Sequence, residues 1–126
     1  MVKKLMLPQE IETFYVIPTV RKHFAMLMKE KGMKQMQIAK ILGIRDAAVS
    51  QYLSEKRGNK VKFDKEIIDE IKKAVPRLKN PQSMIRETQK ILYLIKETKA
   101  LCRLHAKHSD VPCNCDPTAM GCLRNS

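Results

Sequence analysis

The stretch that most restricts the fold of this chain is residues 35–54, QMQIAKILGIRDAAVSQYLS. Gly43 lies between two short amphipathic patterns, where a tight turn with a positive φ favours glycine. Ala39 precedes it by about one helical turn, and its small side chain would let a second helix cross close to the first. The side chains spaced to fill the wedge between the helices are Leu42, Ile44, Val49 and Leu53. The spacing predicts two crossing helices, and a coincidental helical hairpin is the alternative.

This stretch resembles the helix-turn-helix of phage-repressor-type (XRE/Cro-type) regulators. Residues 15–58 are further similar to a group of predicted archaeal transcriptional regulators whose recognition helix reads like AAVSQYLSGKRG. This chain has AAVSQYLSEKRG, with Glu55 where glycine is common, and it adds a C-terminal tail with four cysteines. The similarity covers residues 8–75 and implies a repressor-like fold that binds double-stranded DNA. It implies neither an operator sequence nor an effector.

The second helix of this motif is predicted to begin near Asp46, which is expected to cap it, and to enter a DNA major groove. The side chains predicted to contact base edges are Arg45, Ala47, Ser50, Gln51 and Ser54. Gln51 suits a bidentate contact with adenine, Arg45 suits guanine, and Ala47 suits a thymine methyl group. Ordinary solvent exposure is the alternative for each of them.

Basic residues flank the motif and are predicted to contact phosphates, which supply affinity without reading the sequence. They are Lys34, Lys40, Lys56, Arg57 and Lys60. The formal net charge of +12 agrees with a polyanionic partner, nucleic acid or an anionic membrane surface, although a solvated lysine-rich surface is the alternative. No stretch approaches the ~20 apolar residues of a membrane span and the N-terminus does not resemble a signal peptide, so we expect a cytoplasmic protein without a membrane partner.

The remaining sequence also reads as helices, so the expected fold class is all-α: a repressor-like bundle, a long C-terminal helix and a cysteine-rich tail. Further helices are predicted over residues 9–17, 19–31 and 63–76. A linker with two prolines, at 76–82, predicts a DNA-binding domain over 1–78 and a second domain over 79–126, which holds a dimerisation helix and the metal-binding tail.

One long helix over 82–108 is predicted to carry an apolar seam with alternating spacings of four and three. The seam positions are Met84, Thr88, Ile91, Ile95, Thr98, Cys102 and His105. The seam predicts a homodimer through this helix, and closure of the seam within one chain is the alternative.

All four cysteines lie near the C-terminus: Cys102, Cys113, Cys115 and Cys122. Four thiolates match the ligand number of an iron–sulfur cluster or of a tetrahedral zinc ion. Because Cys113 and Cys115 are separated by one residue, which is tight for a zinc knuckle, the favoured prediction is a 4Fe–4S or 2Fe–2S cluster. Zinc, a redox disulfide and free thiols are the alternatives. His105, one turn after Cys102, is a reserve ligand or an ordinary exposed residue.

These patterns together predict a homodimeric transcriptional regulator whose cluster senses redox state, iron or oxygen. Metal binding at the end of the dimer helix would set the spacing of two DNA-binding heads, ~34 Å apart. The alternatives are the same regulator with a structural zinc site, and a basic RNA- or nucleoid-binding protein without sequence readout. No phosphate-binding glycine loop, nucleophile–base pair or acidic pair indicates an enzyme, and no small-molecule substrate is expected.

Overall fold

The computed structural model describes residues 5–110, 115–116 and 120–122. All regular elements in these residues are helical, which confirms the expected all-α class. They are α1 (Pro8–Ile11), a π-helical segment (Glu12–Val16), α2 (Ile17–Glu30), α3 (Gln35–Leu42), α4 (Asp46–Leu53), α5 (Lys65–Ala74) with a 3-10 turn (Val75–Arg77), α6 (Pro81–Glu97) and α7 (Ala100–His108). No helix in this part of the chain is both long and apolar enough to cross a membrane.

Buried apolar side chains from Ile11 to Leu101 form one cluster among the described residues. At its centre α2 contributes Val20, Phe24 and Met28, which share one helix face because they are four residues apart, and all three are fully buried. Around α2 pack α3, α4 and α5, while α6 packs on α3 and α5 and α7 packs on α1 and α6. The predicted domain boundary at residue 78 stays a prediction, and the residues on its two sides share this core.

The expectation of one continuous helix over 82–108 is wrong, because α6 ends at Glu97 and α7 starts at Ala100. Between them Lys99 has a φ of 63°, a left-handed conformation that a regular α-helix does not contain. The Thr98 hydroxyl donates to the Leu94 carbonyl at 2.9 Å, a side-chain bond that competes with continued helix at this point. The break directs α7 back onto α1 and α6 and buries Leu101.

Three of the seven seam positions in the segment 82–108 are buried within the chain. Met84, Ile91 and Ile95 are all buried in a single copy of the protein, where α6 packs on α5 and α3. Burial of each such side chain is worth roughly 1.5–3 kcal/mol, and that free energy is used here inside the monomer. The predicted homodimer through this helix stays a prediction, and these three seam side chains are already covered within a single chain.

A carboxylate also lies on the buried face of α6. Glu87 is 1% exposed, and it accepts hydrogen bonds from Arg77 Nε at 2.8 Å, Arg86 Nε at 3.3 Å and Lys90 Nζ at 3.4 Å. The three cations surround one carboxylate, so this buried charge is compensated. The cluster joins α6 to the turn that follows α5.

Candidate nucleic-acid interface and cysteine region

The turn between α3 and α4 has the predicted backbone. Gly43 adopts a φ of 65°, and its N–H donates to the carbonyl of Ala39. Ala39 is only 9% exposed. The four side chains expected to fill the wedge are buried or half-buried: Leu42, Ile44, Val49 and Leu53. The left-handed Gly43 and the side chains packed between the two helices therefore fix α4 relative to α3.

The side chains predicted to contact bases are all exposed: Arg45, Ala47, Ser50, Gln51 and Ser54. On α4 itself the buried side chains are Val49 and Tyr52, and the helical period places the exposed ones on the opposite side. Arg45 is the N-cap of α4, so the expectation that Asp46 caps this helix is wrong. Asp46 is instead the first helical residue, where its charge is favourable to the helix dipole.

Gln35, the first residue of α3, forms hydrogen bonds to α4 that the sequence pattern did not predict. Its Nε2 donates to the hydroxyl of Ser50 and, at 3.2 Å, to the carbonyl of Asp46. The Ser50 hydroxyl thus accepts one bond within the protein and keeps its own hydrogen to donate. Sequence spacing gave no signal for this contact, because only the crossing of the two helices brings Gln35 to Ser50.

The basic residues predicted to contact phosphates are exposed as well: Lys34, Lys40, Lys56, Arg57 and Lys60. Lys56, Arg57 and Lys60 follow α4 and line one cleft, which Arg21 and Tyr15 also line. The Lys60 ammonium lies 5.7 Å from the centre of the Tyr15 ring, within the range of a cation–π contact.

The loop after α4 is fixed on α2 at Gly58. Its φ is 79°, and a Cβ there would lie 2.5 Å from the Pro18 carbonyl oxygen and 2.8 Å from Lys22 Cβ, so only glycine fits. Glu55 also has a left-handed φ of 61°, and its carboxylate lies 3.5 Å from the Lys22 ammonium. The left-handed backbone gives a physical reason for the glycine that is common at this position in the resembling regulators.

The end of α7 is tied to the N-terminal segment. Ser109 Oγ accepts a 2.7 Å hydrogen bond from the Met6 N–H and donates to the Met6 carbonyl at 3.3 Å. The Met6 carbonyl also contacts His105 Nε2, so this nitrogen of the predicted reserve ligand is already engaged. The ring of His108, in the last turn of α7, stacks on the ring of Tyr15.

Three of the four predicted metal ligands lie in the described residues, and all three are free thiols. Cys102 and Cys122 are half-buried and Cys115 is exposed, whereas Cys113 lies outside the described residues. Burial raises the pKa of the Cys102 thiol, and the nearby Cys122 and Cys115 raise this pKa further. Across residues 5–110, 115–116 and 120–122, no group of three or more His, Cys, Asp or Glu side chains is arranged to hold a metal ion.

Comparison with known proteins gives no matching family model, no matching curated protein and no matching solved structure. The resemblance to repressor-type regulators therefore rests on the residues of the α3–α4 segment and its flanks.

Proposed function

We propose that the protein is a transcriptional regulator that binds double-stranded DNA by inserting α4 into the major groove. The observation that carries this proposal is the α4 surface itself: small and polar side chains outward, Val49 and Tyr52 buried beneath, and a left-handed Gly43 that fixes the crossing with α3. A recognition helix needs this combination, since it must be rigidly held and still present hydrogen-bonding groups to base edges.

Two of the outward groups are suited to read bases. The Gln51 amide can form the bidentate pair with adenine, and the Arg45 guanidinium can do so with guanine. Lys56, Arg57 and Lys60 follow at the end of α4, where they would bind the phosphates of the same strand. The net charge of +12 would add long-range attraction and make the affinity strongly dependent on salt.

Selection from a randomised duplex library, followed by fluorescence anisotropy, tests this proposal. The protein should prefer a selected site over its scrambled version, and Gln51→Ala should lose about 1–3 kcal/mol of that preference. Gln89→Ala, which removes an exposed amide from α6, is the matched control and should leave the preference unchanged. A palindromic site would show that two copies bind together. If scrambled duplex competes equally well, the protein is a basic nucleic-acid binder without sequence readout.

We further propose that Cys102, Cys113, Cys115 and Cys122 bind an iron–sulfur cluster whose gain or loss alters DNA binding. The donor set is four thiolates, the ligands that such clusters use. The support in the described residues is the position of Cys102 on α7, whose C-terminal end contacts Met6 and Tyr15. Because Tyr15 also lines the cleft beside α4, binding of a cluster at Cys102 can act on this cleft within one chain. Such a route requires no dimer seam.

Anaerobic purification with iron, zinc and sulfide analysis tests the nature of the site. Iron and sulfide in equal amounts, absent from Cys102→Ser, would support a cluster, whereas zinc alone would indicate a structural clip. DNA affinity of loaded and metal-free protein then tests sensing. Equal affinity of the two forms for the same selected site would refute it.

A further inference from the structure

A cleft of about 390 Å³ lies between the segment that starts α2 and the loop that follows α4. Its basic side chains are Arg21, Lys56, Arg57 and Lys60. They are accompanied by Phe14, which is 60% exposed, and by Tyr15 and Tyr52. The cleft thus combines positive charge with flat apolar rings beside the proposed recognition helix.

The positive charge in this cleft is not compensated by the described part of the protein. No acidic side chain lines it, and none of its four cations takes part in an ion pair among the described residues. The contrast is the cluster around Glu87, where three cations share one buried carboxylate. Four uncompensated cations that converge on one cleft repel each other, so an anionic ligand would stabilise the arrangement.

Arg21 is the member of this group that sequence reasoning did not single out. It lies on α2, it is half-buried, and its Nε has no hydrogen-bond partner among the described residues although it is shielded from solvent. A buried guanidinium nitrogen without an acceptor is unfavourable, because it has lost its hydration without gaining a hydrogen bond. Arg21 also lines the cleft, so its guanidinium adds a positive charge from α2 to the charges of the loop.

We propose that this cleft binds a phosphate of the DNA backbone, with Arg21, Arg57 and Lys60 as its main contacts. The inference rests on the proposed function and extends it, because it places part of the DNA contact on α2 rather than on the α3–α4 pair. DNA is favoured as the source of the phosphate because the basic loop begins directly after α4. A strand whose bases reach the outward face of α4 must continue past this loop. Phe14 and Tyr15 would then pack against the sugars of that strand.

Salt titrations of duplex binding test the inference. A variant that makes one phosphate contact fewer than the wild type should show a slope of log K against log salt that is shallower by about 0.9. We expect this shallower slope in Arg21→Gln, the wild-type slope in Arg21→Lys, and the wild-type slope in Lys29→Gln, which removes an exposed charge from the other end of α2. Lys60→Gln, at an exposed position, should give the same shallower slope without risk to the core.

The outcomes separate this inference from the proposed function. Wild-type protein that does not bind duplex overturns both. Binding that keeps its sequence preference, with slopes in Arg21→Gln and Lys60→Gln equal to that of Lys29→Gln, overturns the cleft alone. Thermal unfolding in inorganic phosphate and in chloride at equal ionic strength forms a second arm. Stabilisation by phosphate that disappears in Arg21→Gln, together with an unchanged slope, would assign the cleft to a free anion and overturn the DNA contact.

Discussion

The imidazole ring of His108 stacks on the phenol ring of Tyr15, with ring centroids 4.4 Å apart and planes inclined by 14°. The Lys60 ammonium lies 5.7 Å from the centre of that same tyrosine ring. One aromatic side chain therefore contacts both the end of the cysteine-bearing helix and the loop that follows α4. The connection is local and lies within a single chain.

Replacing His108 by alanine should weaken this connection. Removal of an aromatic pair of this kind should cost about 0.5–1.5 kcal/mol of stability, which chemical denaturation would measure. If the stack carries the tail's state to the cleft, His108→Ala should also reduce the difference in DNA affinity between reduced and oxidised protein. Lys107→Ala, an exposed neighbour on α7, is the control. If the affinity difference between reduced and oxidised protein is as large in His108→Ala as in the wild type, the route through Tyr15 is contradicted.

Replacing Glu55 by glycine should stabilise the protein by about 0.5–1 kcal/mol. The left-handed φ of 61° is unfavourable for a residue with a Cβ by roughly 1–2 kcal/mol, and the greater freedom of glycine when unfolded offsets part of the gain. Glu55→Ala is the matched variant, since it keeps the strain and also removes the surface ion pair with Lys22. Urea unfolding of both variants measures which of the two is more stable. A glycine variant less stable than the alanine variant would contradict the explanation.

Substitution by alanine should reduce the stability of the protein less at Gly43 than at Gly58. Gly43→Ala places its Cβ in open space, so only the left-handed φ opposes it, at about 1–2 kcal/mol. Gly58→Ala has the same conformational penalty and also drives a Cβ against the Pro18 carbonyl, which adds roughly 1–3 kcal/mol. Thermal unfolding should therefore rank Gly58→Ala as the less stable variant. Equal stability would mean that the loop after α4 can move away from α2.

The Glu87 cluster should make stability depend on pH in acid. Burial raises the pKa of the Glu87 carboxyl, but the hydrogen bonds from Arg77, Arg86 and Lys90 outweigh burial and hold the pKa below its usual value. A depressed pKa in the folded state adds stability that is present above the unfolded pKa, about 4.3, and is lost as pH falls through the folded pKa.

Glu87→Gln should therefore lower stability at neutral pH by about 2 kcal/mol and flatten its decline below roughly pH 4. Glu70→Gln, which removes a more exposed carboxylate paired with Lys73, should change both quantities much less. Unfolding curves recorded across the acid range provide the measurement. A Glu87→Gln protein with the wild-type pH slope would show that the cluster does not set acid stability.

The sequence by itself determined the features that depend only on residues close together along the chain. The spacing of apolar side chains placed Val49 on the buried side of α4, and the place of Gly43 between two amphipathic patterns predicted its left-handed φ correctly. These are local matters, since backbone strain at one residue and the spacing of apolar side chains along one helix do not depend on distant partners. DNA binding and the four-cysteine site, which also start from local patterns, stay proposals.

Only the tertiary structure decided which surfaces meet. The apolar spacing of 82–108 marked a buried face, but a periodic face does not say whether its partner is another helix of the same chain or a second copy. The structure buries Met84, Ile91 and Ile95 within one chain, where α6 packs on α5 and α3. Likewise Gln35 reaches Ser50, Arg77 reaches Glu87 and His108 reaches Tyr15 because the helices cross or turn back at those points. Such contacts depend on the packing of whole elements, which no pattern within one element records.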